Sequence, residues 1–222
     1  MKFTGSPSIN LVIRDKQLSF QQDNDSMHVG TSVWPCSLVL SKFAERWTII
    51  DANPNPYSSF LDFRNKRGIE LGTGCGVAGM ALYLMGLADI VLTDIAAVMP
   101  ALKHNLKRNK PTIGKMLKTG ILNWNNRAQI ESFRPPFDIV IAADVVYIEE
   151  TVPHLVDAMY SLVADDGVVL LGYQVRSPDA DKLFWEMSEK VFSINIVPRQ
   201  DLHPDYTYEE GDVYILSKKV LQ

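Results

Sequence analysis

Glu70-Leu71-Gly72-Thr73-Gly74-Cys75-Gly76 constrains this chain more than any other stretch. It follows a basic, turn-like run, Arg64-Asn65-Lys66-Arg67, and closes the short apolar segment Gly68–Leu71. A helical pattern opens directly after it. Alternate glycines let the backbone turn sharply between strand and helix, and let a ligand approach atoms that a Cβ would shield. Two ligand classes compete for such a loop. Gly74-Cys75-Gly76-Val77-Ala78-Gly79 satisfies Gly-x-Gly-x-x-Gly, the dinucleotide pattern. Glu70, two residues before Gly72, separates the two. A pyrophosphate gains nothing from a carboxylate there, whereas a ligand carrying an ammonium group does.

From Arg67 the chain alternates short apolar runs with amphipathic segments. Strands are expected at Gly68–Leu71, Asp89–Thr93, within Lys115–Leu122, at Phe137–Ala143 and at Gly167–Gly172. Helices are expected at Val77–Leu87, Ala96–Asn109, Glu149–Val163 and Ala180–Lys190. Phe137–Ala143 is the most apolar run and reads as a central strand buried on both faces. Strand alternating with helix implies parallel strands, right-handed crossovers and helices on both faces. Ser193–Pro198 and Asp212–Lys218 close the chain as two strands with no helix between them, which implies one antiparallel pair. Upstream, Ile9–Arg14 and Gln17–Gln21 flank Asp15-Lys16 and read as a hairpin. Cys36–Trp47 is helical behind Pro35, and the proline- and asparagine-rich Asp51–Asn65 reads as a loop.

At 222 residues the chain suits one domain: residues 1–32 form an N-terminal extension and 67–218 an α/β core. The net charge of −4 provides no global attraction to nucleic acid or to anionic membranes. Cys36 and Cys75 make neither a disulfide framework nor a metal cluster. No signal peptide or membrane-length apolar run is present, so a cytoplasmic or nuclear protein is expected.

In open α/β sheets ligands bind beyond the carboxyl ends of the strands, where the strand order reverses. Three acids stand at such ends: Glu70 after the first core strand, Asp94 after the second and Asp144 after the fourth. Asp94 lies about 20 residues beyond the glycine loop, where an acid can take both ribose hydroxyls; the competing role is an N-cap for the helix that follows. Glu70 either meets the ligand's ammonium group or braces the loop through its N–H groups.

Glu70-x-Gly72-x-Gly74-x-Gly76 resembles the first motif of the class I S-adenosylmethionine methyltransferases. Asp144-Val145-Val146-Tyr147 resembles the Asp-x-x-Tyr motif of their seven-β-strand protein lysine methyltransferases, of the methyltransferase-like 21 type. The resemblance spans Val33 to Lys218 and includes Val33-Trp34, Asp94, Trp124 and Ala142-Ala143. It implies a Rossmann-like three-layer sandwich: a seven-stranded, mostly parallel sheet whose last strand is antiparallel. It also implies S-adenosylmethionine as methyl donor and a protein substrate, a chaperone or translation elongation factor among the kinds modified. Asn/Asp-Pro-Pro-Tyr/Phe, the signature of base and glutamine methylation, is absent because Val145 and Val146 occupy the proline positions.

The same resemblance distributes the roles. Gly72, Thr73 and Gly74 lie along the cofactor, Trp34 closes over its methionine end, Trp124 lies beside adenine, and Ala143 contributes backbone. For Trp124 core packing competes with that role. Asp144 orients substrate or cofactor rather than acting as a base, because a free carboxylate would favour the ammonium form of a lysine. Tyr147 forms an aromatic, partly desolvated wall of the lysine channel, against the competing role of an ordinary core tyrosine.

Three further features carry alternatives. Cys75 at a helix start is either a low-pKa thiolate or a small filler, with filler favoured. The basic face Lys103, His104, Lys107 and Arg108 reads as solvated. Asp201, Asp205, Glu209, Glu210 and Asp212 either attract a lysine-bearing surface, if they lie near the cleft, or form an ordinary charged loop.

Overall fold

The computed structural model describes residues 5–48 and 55–219. Its strands are β1 (Ser8–Ile13), β2 (Lys16–Gln21), β3 (Arg67–Leu71), β4 (Asp89–Asp94), β5 (Lys118–Ile121), β6 (Phe137–Ala143), β7 (Val163–Tyr173), β8 (Phe192–Ile196) and β9 (Asp212–Lys218). The helices are α1 (Pro35–Trp47), α2 (Ser58–Leu61), α3 (Val77–Leu84), α4 (Met99–Ile113), α5 (Arg127–Ser132), α6 (Val152–Leu162) and α7 (Pro178–Val191). β3 to β9 form one sheet in the order β5-β4-β3-β6-β7-β9-β8. The pairs from β5 through β7 are parallel, and β9 runs antiparallel to both of its neighbours, as the class I plan requires.

Alternation along the strands builds two cores. In β6, Ile139 and Ile141 join one hydrophobic cluster, while Val140 and Ala142 join the other. β7 divides in the same way, Val168 and Leu170 against Val169 and Leu171. α1, α3 and α4 cover the first face, α6 and α7 the second. The chain runs outward from β3 to β5 and returns to β6, so the strand order reverses between β3 and β6. Their carboxyl ends, Leu71 and Ala143, therefore open on the natural ligand crevice.

β1 and β2 form the expected hairpin, with Leu11 opposite Leu18. Its outer edge is closed by a helix. Asn109 accepts the Ser19 N–H at 2.8 Å and donates to the Ser19 carbonyl at 2.9 Å; Asn105 does the same for Gln21 at 2.8 and 3.1 Å. Four residues of helix rise about 6 Å and two of strand about 6.6 Å, so amides at i and i+4 match alternate residues of a strand. The two buried asparagines thus replace a neighbouring strand and satisfy an edge that would otherwise be open. The basic face of α4 is not wholly solvated: His104 bonds Gln21 Oε1 at 2.9 Å and Arg108 donates to Ser19 Oγ at 3.2 Å.

Some boundaries differ from the sequence expectation. α4 starts at Met99, after an Ile95–Val98 turn, and continues through Pro111 to a left-handed Gly114 cap whose N–H reaches the Lys110 carbonyl. β7 begins at Val163 because a register shift opposite Phe137 and Ile139 extends it ahead of Val168. α2 and α5, both short, went unseen: α2 lies inside the segment read as loop, of which residues 51–54 lie outside the described residues. Asn126 caps α5 by accepting the Gln129 N–H.

Candidate active site

Gly72 leaves β3 at φ 61°, and a Cβ there would come within 2.8 Å of Val145 Cγ1 and 3.3 Å of the Trp124 ring. Only glycine lets this turn pass beneath those side chains. The loop is then tied to β4 twice. Thr73 N–H donates to the Thr93 carbonyl at 3.0 Å and Gly74 N–H donates to Asp94 Oδ2 at 2.8 Å.

Glu70 lies beneath this loop rather than in the cavity. Its Oε2 accepts the Gly79 N–H at 3.1 Å and pairs with the Thr73 hydroxyl. A Cβ on Gly79 would lie 2.5 Å from that oxygen, so the glycine makes room for the acid. Burial pushes the Glu70 carboxyl up to about 8, against the two hydrogen bonds that favour its ionised form. Of the two roles open to Glu70, the position matches bracing the loop; meeting the ligand's ammonium group finds no support in it.

A cavity of about 490 Å³ opens above the loop at the switch point. Trp34, Gly72, Thr73, Gly74, Asp94, Trp124, Ala143, Asp144 and Tyr147 all line it. Asp94 is not a helix cap, since α4 begins at Met99 with Val98 ahead of it. Its oxygens accept one backbone N–H each, from Gly74 and from Ile95, both at 2.8 Å. A carboxylate has about four acceptor sites, so two remain for hydroxyl donors in the cavity. Burial raises its pKa, and the two N–H bonds oppose that rise.

Asp144 follows β6 at φ 61°, its N–H donating to the Gly172 carbonyl at 2.9 Å. The turn sets its carboxylate against Arg176, which forks onto it through Nε at 2.8 Å and Nη2 at 2.6 Å. The Arg176 guanidinium lies 4.9 Å over the Trp34 ring, and the indole N–H donates to the Val29 carbonyl at 2.8 Å. Tyr147 is 40% exposed at the cavity mouth, which excludes the core-tyrosine role. Desolvation, then the charges of Asp94 and Asp144, raise its hydroxyl pKa.

Arg176 was missed by sequence reasoning. The available signal was its place just beyond the carboxyl end of β7, beside the ends that carry Asp94 and Asp144. Met27, Val29, Ile95 and Ile148 were missed too; they are exposed and rim the same cavity, with no motif to announce them. Burial, then the charge of Asp94, pushes the Cys75 thiol up to about 12, so it is filler and not a thiolate. The acidic segment divides. Asp201 accepts the Tyr57 hydroxyl, Asp212 pairs with Arg199 at 3.0 Å, and none of the five acids lines the cavity. Among the described residues no cluster of acids, histidines and cysteines could hold a metal ion, and no helix is long and apolar enough to cross a membrane.

A seven-stranded sheet with this order and reversed β9, carrying an acid-braced glycine loop and an acid after its second strand, defines a class I methyltransferase. A solved TehB-like SAM-dependent methyltransferase from Corynebacterium glutamicum shares the fold, with a TM-score of 0.52 at 17% identity over 81% of this chain and 98% of that one. A family model described as lysine methyltransferase matches residues 13–191. The chain belongs to this lysine methyltransferase family, and its methyl donor is S-adenosylmethionine. Protein N-lysine methyltransferase METTL21A of Mus musculus is 29% identical over 84% of this chain and 80% of its own length. EEF1A lysine methyltransferase 3 of Mus musculus is 28% identical over 83% and 74%.

Proposed function

We propose that the enzyme methylates a lysine on the surface of a protein partner, with Asp94 and the glycine loop holding the donor and Tyr147 walling the lysine's path. The observation that carries this is the division of one cavity. Its inner lining holds the backbone of Gly72 to Gly74 and the Asp94 carboxylate among apolar side chains such as Val33 and Leu122. Its mouth is a ring of exposed apolar side chains, Met27, Val29, Ile95, Tyr147 and Ile148. An apolar collar around a carboxylate-bearing cavity suits a protein surface presenting one long cationic side chain.

The residues present fit the donor. Asp94 has acceptor sites left for ribose hydroxyls, Trp124 offers an apolar ring at the loop for adenine, and Gly72 and Ala143 leave room where larger side chains would intrude. S-adenosylmethionine, when bound, would supply an electrophilic sulfonium methyl. The chain's own task is to position that amine and to favour its neutral form. With a reference pKa of about 10.4, a lysine costs roughly 4.6 kcal/mol to deprotonate at pH 7. Partial desolvation against Tyr147 lowers that cost, and the proton leaves through the open mouth to water. Asp144 already accepts both donors of the Arg176 fork, which supports an orienting role over that of a base.

The name of one relative points to EEF1A, so a translation elongation factor is the first substrate to test, and a chaperone, which the motif resemblance implies, the second. The free, buried cysteines Cys36 and Cys75 support work in a reducing compartment, cytoplasm or nucleus. The test is incubation of the wild type and Asp144→Ala with radiolabelled S-adenosylmethionine and a cell lysate. Labelled protein bands that mass spectrometry assigns to lysine, weakened but still measurable in the variant, are expected. Label confined to nucleic acid or small molecules would overturn the protein-lysine assignment.

A further inference from the structure

The Asp144–Arg176 pair is built more tightly than an orienting acid requires. The Asp144 side chain is 2% exposed and that of Arg176 26%, so the carboxylate lies beneath the guanidinium, and the arginine forms the solvent side of the pair. Both carboxylate oxygens are engaged by the fork, and the opposite side of the guanidinium rests over Trp34. Asp144 is held from behind by its own N–H on Gly172. The arginine sits between β7 and α7, so three elements converge on one charge pair at the cavity wall. Asp94 and Asp144 are the two carboxylates among the lining residues. Asp94 is tied to two amides and is the same in every variant compared below, so Asp144 is the acid whose exposure to an incoming ammonium group the arginine controls.

We propose that Arg176 is a positioning residue of the transfer site: it holds Asp144 in a closed ion pair, so that the lysine meets a neutralised carboxylate instead of a free one. This rests on the assignment of a lysine substrate. A free carboxylate 4–6 Å from an ammonium group stabilises the charged form by about 1–3 pKa units, which is the wrong direction for a nucleophile. The remaining titratable neighbours do not duplicate the effect. Cys36 and Tyr208 pack against the pair and Tyr147 faces the same cavity. Burial raises all three, so they stay neutral near pH 7. His28 and His154 also line the cavity and are present in every variant compared.

The test is the pH dependence of kcat, which reports groups in the enzyme–substrate complex. The substrate is the most strongly labelled lysate protein, purified. In Arg176→Gln the acid limb should move to higher pH by about 1 unit or more. Adding Asp144→Asn to that variant removes the exposed charge and should return the limb to its wild-type position. Arg176→Lys keeps the cation but loses the fork; its limb should stay within about half a unit while kcat falls by roughly tenfold. It bears the test alone should Arg176→Gln not fold by circular dichroism. A limb unmoved in Arg176→Gln, a shift that persists in the double variant, or an unchanged kcat in Arg176→Lys overturns the proposal. If the wild type labels a residue other than lysine, the functional assignment itself falls, and Arg176 with it.

Discussion

Asp94 Oδ2 accepts the Gly74 amide at 2.8 Å, and this bond joins the carboxyl end of β4 to the glycine loop that leaves β3. One carboxylate therefore shapes the loop while its free acceptor sites face the cavity. Loop geometry and ligand recognition depend on the same side chain.

Asp94→Ala should weaken S-adenosylhomocysteine binding by tenfold or more, equivalent to about 1.4 kcal/mol or greater. Asp94→Asn keeps an acceptor for the Gly74 amide and should lose less. Isothermal calorimetry reads both, and an Ala variant that binds as well as wild type would remove Asp94 from the ligand site.

Glu70 predicts a pH dependence of stability. Its carboxyl is pushed from about 4.5 when unfolded to about 8 in the fold, so the folded state favours the protonated form. That contribution is fully present below about pH 4.5 and is lost as pH rises through about 8. Glu70→Gln keeps an acceptor for the Gly79 amide and cannot ionise. Its stability relative to wild type should therefore rise between pH 5 and pH 8, by an amount on the order of a few kcal/mol. Thermal melts at three pH values across that window check it; parallel curves would show that Glu70 is ionised in the fold.

The sheet was legible because its strands are apolar in continuous runs and their spacing leaves room for crossover helices. Asp94 and Asp144 were legible because the fold places ligands at strand ends, and Tyr147 through the Asp-x-x-Tyr motif that it completes. Glu70 was legible as a functional acid but its direction was not: whether a side chain points up into a crevice or down beneath a loop depends on Gly79, nine residues on. Arg176 was hidden for a related reason. Its partner is 32 residues away in sequence, and no local pattern marks an arginine that will fold onto an aspartate. The paired asparagines of α4 were hidden as well, since buried amides on a helix look like interruptions of an apolar face until the strand they imitate is seen.

Those asparagines carry the next prediction. Asn105→Ala leaves the Gln21 N–H without its partner, and Asn109→Ala leaves both the N–H and the carbonyl of Ser19 without theirs, at a cost of about 1–3 kcal/mol each. Amide exchange should accelerate selectively at Gln21 in the first variant and at Ser19 in the second, as read by hydrogen-exchange NMR. Exchange that rises evenly over the whole chain would show general destabilisation and not a local clasp.

Tyr147 separates shape from chemistry. Its ring stands at the mouth among Ile95, Ile148 and Val29, and among the described hydrogen bonds its hydroxyl has no partner; desolvation raises that hydroxyl, so it is protonated at neutral pH. If the ring walls the path of the lysine, removing the oxygen alters little and removing the ring alters much. Tyr147→Phe should keep kcat within about threefold of wild type. Tyr147→Ala should lower kcat/KM by roughly a hundredfold, about 2.7 kcal/mol of transition-state stabilisation, through lost desolvation and lost orientation. Steady-state kinetics on both variants decide the matter. A Phe variant as impaired as the Ala variant would place the hydroxyl in the proton path and make Tyr147 a participant in the transfer.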